Sequence, residues 1–282
     1  VIRAVIENNL DKGQLPVKVW YSGQYFRAER PQKGRFRQFY QFGIEAIGLS
    51  DPELDVEVIA IADRAFKNLG LSKYKLQITS LGDKVSREAH KKELKKFLAT
   101  LDLDEETKAR AELNPLRIFD DKRSEVIEAM KAAPILLDFL SNESKSNFEL
   151  VQNLLSELKI DFEINPRMVR GLDYYTGTTF EFVHSGLGAQ SGIGGGGRYD
   201  GLMSELGGSE LSGIGFGIGI DRVLLALENE GVIDLSRSSS SLKLFIVPLG
   251  SESKNFAAKL INSLRERGLS SDMAYGDRKS VV

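Results

Sequence analysis

Hydrophobic and polar residues alternate in "VKVWYSGQYFRAE" and again in "QFYQFGIEAIG", with the turn-rich, polar "RPQKGRFR" between them. Period-two alternation puts every second side chain on one face of a strand, so residues 17–48 are predicted to form two antiparallel strands around a polar loop. The next stretch, "LDVEVIAIADRAFKNLG", carries apolar residues at helical spacing and stops at Gly70, a residue suited to closing a helix. "KYKLQITSLGD" returns to strand. From about 83 to 165 the texture is that of charged helices, "SREAHKKELKKFLATL", "DEETKARAELN" and "NFELVQNLLSELKI", separated by "NPLRIFDD" and "AAPILLDFLSNES". This reads as a helical insertion interrupting a β-rich domain, its charges either a solvated face or a surface that touches a large partner. Strands then resume through residue 220, followed by a helix and the Ser-rich linker "SRSSSS". The closing "LKLFIVPLGSESKNFAAKLINSLRERGLSSDMAYG" reads as strand, helix, strand, the start of an α/β unit.

The segments assemble into an organisation of five parts. Residues 1–82 are the first part of a β-rich domain, 83–165 the helical insertion, 166–232 the second part, 233–241 a linker and 242–282 the start of the last domain. The chain opens without methionine on "VIRAVIENNL", an amphipathic helix already under way, and the last unit stops before it could bury its own sheet, so both ends are expected to be cut.

With 282 residues, 41% hydrophobic, 28% charged and a net charge of -2, the composition is that of an ordinary globular protein. No global basic field exists, so any nucleic-acid contact must come from a local patch. The absence of cysteine excludes disulfides and thiolate metal sites and fits a reducing cytoplasmic compartment. His90 and His184 lie far apart and are expected to be surface or packing residues; no protein-bound metal is expected. No apolar run approaches the roughly 20 residues of a membrane-spanning helix, and no signal peptide is expected ahead of the fold.

Three stretches carry candidate chemistry. In "SGIGFGIGIDRVLLALENEG", Gly213, Gly215, Gly217 and Gly219 share one face of a strand, with Ile214, Phe216, Ile218 and Ile220 on the other. A glycine face is a bare trough where a flat heterocycle such as adenine could lie, or where a neighbouring element could approach. Asp221 is placed to cap the following helix, and Arg222 in its first turn opposes the helix dipole, which suits a role in holding an anion. The second stretch, residues 18–37, holds Lys18, Arg27, Arg30, Lys33, Arg35 and Arg37 against the single acid Glu29. Guanidinium forks of this kind bind phosphate oxygens in pairs, although a basic hairpin can equally be a solvated loop. The third is "RGLDYYTGTTFEF" followed by "GIGGGGRYDGL", a second glycine-lined strand that would floor a pocket beside the first. Its GxGxxG lacks the acid that a dinucleotide fold requires. In an extended segment Tyr174 and Tyr175 would point to opposite faces.

Taken together, "FRAERPQKGRFRQFYQFGIEAIG" and "GIGFGIGIDRVLLAL" resemble the second and third motifs of class II aminoacyl-tRNA synthetases. "RGLDYYTGTTFEF" and "GGGGRYDGL" resemble the two signatures of the histidyl-tRNA synthetase family, and the resemblance runs from residue 1 to about 276, "NPLRIFD" included. It implies an α+β fold, an antiparallel sheet flanked by helices, with the helical insertion and the start of a C-terminal anticodon-binding α/β domain. It implies the ligation of histidine to tRNA(His): activation by ATP to histidyl-adenylate, then transfer to the tRNA. By resemblance, Arg170 and Arg27 are the catalytic pair at the α-phosphate, and Arg170 takes over charge neutralisation that other class II enzymes leave largely to a metal. Losing one such contact is expected to cost on the order of 3 kcal/mol in the barrier. Arg222 and Arg35 would take the γ-phosphate, with Gly215, Gly217 and Gly219 flooring the ATP site. Gln41 and Glu45 would hold the polar end of histidine, Glu45 as partner of its α-ammonium group. Tyr174, Tyr175 and Arg170 would complete the histidine pocket, and Gln32 and Arg37 would face the tRNA acceptor end.

ATP enters as a substrate with Mg2+, and the partners implied are histidine, ATP, tRNA(His) and, for the full-length parent, a second copy in a homodimer. The first class motif and an acidic loop that contacts the imidazole lie upstream of residue 1 in the family, so this chain by itself is expected to be impaired. The rival reading is the non-catalytic, synthetase-like regulatory subunit of ATP phosphoribosyltransferase, in which the catalytic signatures decay. Arg27, Arg170, Tyr174, Tyr175 and Arg222 all stand here.

Overall fold

Strand β1 (Val17–Phe26) and strand β2 (Gln38–Ile47) pair antiparallel from Val17 opposite Ile47 to Phe26 opposite Gln38, as their alternation predicts. A computed structural model describes residues 1–28, 30–32, 34–113, 115–121, 123–168, 174–234 and 242–275. Glu29 and Lys33 of the hairpin, Arg170, the whole of "SRSSSS" and the final seven residues therefore lie outside it. The chain divides into two compact units, Val1–Val232 and Ile233–Val282.

The first unit is built on a seven-stranded sheet in the order β1-β2-β7-β6-β5-β3-β4. Its further strands are β3 (Tyr74–Ser80), β4 (Phe162–Ile164), β5 (Thr176–His184), β6 (Gly192–Arg198) and β7 (Gly213–Gly219). All neighbours are antiparallel except edge strand β4, which runs parallel to β3. Helices α1 (Ile2–Glu7), α2 (Pro52–Asn68), α3 (Lys84–Leu98), α4 (Glu105–Leu113), α5 (Ser124–Met130), α6 (Asn142–Glu157), α7 (Leu202–Glu205) and α8 (Ile220–Asn229) complete this unit.

One face of the sheet is apolar because alternate positions of successive strands agree. Phe180 and Phe182 on β5, Leu76 and Ile78 on β3, and Ile214 and Phe216 on β7 are all buried to 2% exposure or less. Helix α2 covers this face, and its Phe66 meets the Phe182 ring edge-on at 5.1 Å. Pro52 opens α2 at a position where its missing N–H costs nothing, and Gly70, at φ +89°, follows the C-cap Leu69. Between β3 and β5, helices α3 to α5 gather around their own apolar cluster, which includes Leu94, Leu98, Ile118, Val126 and Met130. Helix α6 instead packs on α2 and β5 through its buried Phe148, Val151 and Leu155.

Two local expectations are corrected at the β7–α8 junction. Ile220 is the first residue of α8, not the last apolar position of the strand, because the strand passes directly into the helix. The N-cap is Gly219 and not Asp221, whose carboxylate accepts the Tyr40 amide at 2.9 Å, leaving the helix start without a side-chain cap.

In the second unit, β8 (Leu244–Ile246), α9 (Ser251–Glu266) and β9 (Ser271–Met273) form the strand, helix, strand sequence expected, with β8 and β9 parallel. Its core comprises Ala257, Ile261 and Met273 with Ile246 packed against them. Among the described residues no helix is long and apolar enough to cross a membrane.

Candidate functional site

The polar face of the sheet is shaped by glycine. On β7 and β6, Gly217 lies opposite Gly195 and Gly215 opposite Gly197, so two glycine faces run side by side. The trough is not bare, however. A Cβ at Gly215 would fall 1.8 Å from the Glu45 Oε2 atom, and one at Gly217 1.9 Å from Gln41 Nε2. The glycines therefore admit two polar side chains of the adjoining strand β2 across the sheet surface. At Gly219, by contrast, the nearest neighbour is Arg222 at 3.9 Å, which leaves that end open.

Beyond these residues lies a cleft of about 570 Å³, lined by Arg27, Arg35, Gln41, Tyr175, Gly217, Gly219 and Arg222, with Phe39, Glu181 and Asp221 among its other walls. Two guanidinium groups of the hairpin, Arg27 and Arg35, thus converge on one cavity with Arg222, far away along the chain. Arg27 donates from Nε to the Phe36 carbonyl at 2.7 Å, and its Cζ stands 4.2 Å from the centroid of the Phe39 ring. This fixes the planar fork by a neutral acceptor on one side and a cation–π contact on the other. Arg222 spans two elements, donating Nε to Gly34 O at 2.8 Å and Nη1 to Gly192 O at 2.6 Å. The hairpin loop and strand β6 are tied together through that one side chain. Its place in the first turn of α8 adds its charge to the positive end of the helix dipole, an arrangement suited to a polyanion.

Behind the cleft, four residues along β2 from Gln41 and on the same face, Glu45 sits among tyrosines. Tyr199 donates its hydroxyl to Glu45 Oε2 at 2.6 Å. Burial pushes the Glu45 carboxyl up to about 7, against hydrogen bonds from Tyr199 and Tyr21 that favour the ionised form. Burial, together with that carboxylate, raises the phenols of Tyr21 and Tyr199 above their ordinary value. Tyr174 and Tyr175 do not point to opposite faces. They precede β5 instead of lying in it, and their rings stand 4.7 Å apart, with Tyr174 also edge-on to Tyr199 at 6.1 Å.

The structure thus gathers Arg27, Arg35, Gln41, Tyr175, Gly217, Gly219 and Arg222 in one cavity, with Glu45, Gly215 and Tyr174 adjoining through β2 and the tyrosine cluster. Gln32 and Arg37 are exposed on the hairpin outside the cleft lining, Gln32 exchanging backbone hydrogen bonds with Arg35 at 3.1 and 2.8 Å. Arg170 lies outside the described residues. Tyr21, Phe39, Glu181 and Tyr199 escaped the sequence reading. Only Tyr21 left a trace, since Gly43 interrupts the alternation of β2 where the Tyr21 ring needs space, 2.3 Å from a Cβ placed there. Both histidines are buried packing residues: His90 is within 2.8 Å of the Pro134 carbonyl and His184 within 3.1 Å of Glu230. Among the described residues no three His, Cys, Asp or Glu side chains come together for a metal ion.

The family model described as histidyl-tRNA synthetase matches residues 1–223. The histidine--tRNA ligase of Corynebacterium urealyticum is 59% identical over 278 residues, covering 99% of this chain and 65% of the relative. That of Corynebacterium diphtheriae is 59% identical over 280 residues, with the same coverage of both chains. This chain thus spans just under two thirds of the length of these curated relatives. The crystal structure of apo histidyl-tRNA synthetase from S. aureus superposes with a TM-score of 0.75 at 37% identity, covering 99% of this chain and 67% of that one. The glycine-floored cleft with its converging arginines therefore sits in a chain that belongs to the histidyl-tRNA synthetase family.

Proposed function

We propose that this chain carries the adenylate-forming site of a histidine--tRNA ligase. The observation that carries the reading is the convergence of Arg27, Arg35 and Arg222 on the cavity that Gln41 and the glycines of β7 floor. ATP lies in this cavity with its phosphates among the guanidinium groups: Arg27 at the α-phosphate, joined there by Arg170, and Arg222 with Arg35 toward the γ-phosphate. A carboxylate oxygen of histidine attacks the α-phosphorus in line, the bond to the bridging oxygen breaks, and pyrophosphate departs. A ribose hydroxyl at the tRNA terminus then attacks the activated carbonyl and releases AMP. Fixed cations placed where negative charge accumulates stabilise both steps without reorganising.

Tyr21, Tyr174 and Tyr199 make the walls around Glu45 aromatic, and its carboxyl, raised to about 7, lies close to the ordinary range of an imidazole. Such a pocket suits the flat ring of the histidine side chain better than a strongly hydrated ammonium. We therefore assign Glu45 to the imidazole and Gln41 to the polar end of the amino acid. Glu181 and Asp221, the two carboxylates in the cleft, fit a Mg2+ ion carried on the ATP phosphates, since such an ion binds through one or two carboxylates plus phosphate oxygens. Bound there, it would supply further charge neutralisation at the phosphates. Gln32 and Arg37, exposed on the hairpin, face the tRNA acceptor end. A second copy of the chain and a cytoplasmic location complete the reading.

Histidine-dependent exchange of labelled pyrophosphate into ATP, followed by charging of tRNA(His), tests it in the full-length parent. The expected result is exchange that other amino acids do not support. Absence of charging combined with stimulation of an ATP phosphoribosyltransferase would transfer the assignment to the regulatory reading.

A further inference from the structure

Two arginines that take no part in the proposed chemistry join the helices between β3 and β5 to a wall of the cleft. Residues 165–168 form a turn rooted on the sheet. The Asn165 amide donates to Ile78 O at 2.9 Å, its side chain donates to Gln77 Oε1 at 3.0 Å, and Met168 N closes the turn on Asn165 O at 3.1 Å. Arg167 reaches from this turn to the carboxyl end of α5, donating Nη1 to Met130 O and Nη2 to Lys131 O, both at 2.6 Å. Its guanidinium stands 5.6 Å from the Phe119 ring of the "NPLRIFD" stretch. One planar fork thus takes the Lys131 carbonyl and joins the Ala133 amide on the Met130 carbonyl, and its charge faces the negative pole of the helix.

On the far side of the signature stretch, Arg87 in the first turn of α3 donates Nη1 to the Tyr175 carbonyl at 3.2 Å. Tyr175 lines the cleft. The turn 165–168 and Tyr175 are thus each tied to the helical segment, the first through Arg167 and the second through Arg87. We propose that Arg87 is a positioning residue that couples the helical segment 84–139 to Tyr175, while Arg167 seats the same helices on the sheet-rooted turn 165–168, so that the hold of the cleft on the amino acid depends on how those helices sit. The dependence on amino-acid binding rests on the adenylate-forming reading above; the mechanical coupling does not.

Hydrogen–deuterium exchange on this chain tests the coupling without requiring catalysis. Arg167→Gln is expected to raise exchange at the end of α5 and also at residues 176–178, beyond Tyr175. A rise confined to α5 would overturn the proposal. Arg167→Lys, which keeps the charge but has one nitrogen for two carbonyls, is expected to behave as Arg167→Gln. Arg87→Lys, replacing a single hydrogen bond, is expected to exchange as the wild type does; the reverse ranking of the two lysine variants would count against the geometry. In the full-length parent, Arg87→Gln is expected to raise KM for histidine about tenfold, leaving kcat and KM for ATP within about twofold. Lost kcat at unchanged KM would mean a smaller folded fraction or a contact made only in the transition state, and either would sink the positioning role. Should the wild-type parent show no exchange at all, the proposed function fails while the deuterium result still decides the coupling.

Discussion

Glu45 shows how its surroundings can make one side chain a stability liability at the place where the proposed function needs a recognition group. Its folded-state value, about 7, lies above its ordinary 4.5. A carboxyl raised in this way contributes its full stability below the ordinary value and loses that contribution as pH rises through the folded value. Glu45→Gln removes the titration while keeping the shape. Melting curves should show the variant gaining on the wild type from about pH 4.5 to just above 7 and then holding a constant lead; a lead independent of pH would contradict the assignment. The same variant should lose histidine binding in the full-length parent, by roughly 1.5–3 kcal/mol for a hydrogen bond to a charged group. Gly215→Ala tests the opposite side of this contact. The added Cβ meets Glu45 Oε2 at 1.8 Å and the Ile44 carbonyl at 2.5 Å, and backbone cannot move aside cheaply. Overpacking of about 1–3 kcal/mol should appear as a lowered Tm.

At the level of elements, two carboxylates serve as joints. Asp83 caps α3 by accepting from Ser86 N at 2.7 Å, and its other oxygen accepts from Ser141 Oγ at 2.6 Å, where Ser141 is itself the cap of α6. One side chain therefore fixes the start of the helical segment to its return into the sheet. Asp83→Ala should cost about 1–2 kcal/mol in chemical denaturation. Combined with Ser141→Ala the loss should be less than additive, because the two share one hydrogen bond. Asp55 on α2 makes a buried ion pair with Arg198 at the end of β6, the latter also donating to the carbonyls of Leu49 and Asp51. Burial drives the Asp55 carboxyl upward against the arginine's opposing charge. Arg198→Met would leave that carboxylate buried alone and should destabilise by about 3–5 kcal/mol, whereas pairing it with Asp55→Leu should recover most of the loss.

Across the whole molecule these titrations act in opposite directions. Partial burial raises Asp83 and Glu230, but hydrogen bonds from Ser141 and Ser86 to the first, and from Ser72 and Lys73 to the second, outweigh it and bring both down to about 2. Depressed carboxyls stabilise fully above their ordinary values, and that contribution is lost as pH falls toward 2. Glu45 subtracts on the alkaline side. Thermal stability is therefore expected to peak at roughly pH 4–5, and a pH series of melting temperatures that kept rising through pH 8 would show that other groups dominate.

The sequence alone determined the elements whose pattern is local: the β1–β2 hairpin, the helix closed by Gly70, the charged helices and the strand, helix, strand of the second unit. It also marked the residue types that the structure gathers at one cavity, because alternating glycine and a cluster of arginines in a hairpin are visible without a fold. Backbone period is a property of neighbouring residues, and the hydrophobic face follows from it. Only the tertiary structure decided what faces what. It set Glu45 and Gln41 against Gly215 and Gly217, turned Tyr174 and Tyr175 to the same side, and gave Asp221 to the Tyr40 amide in place of a helix cap. It also separated Arg87 and Arg167 from the other basic residues, since their role depends on carbonyls far away in the chain, and through-space partners leave no periodic trace in a sequence.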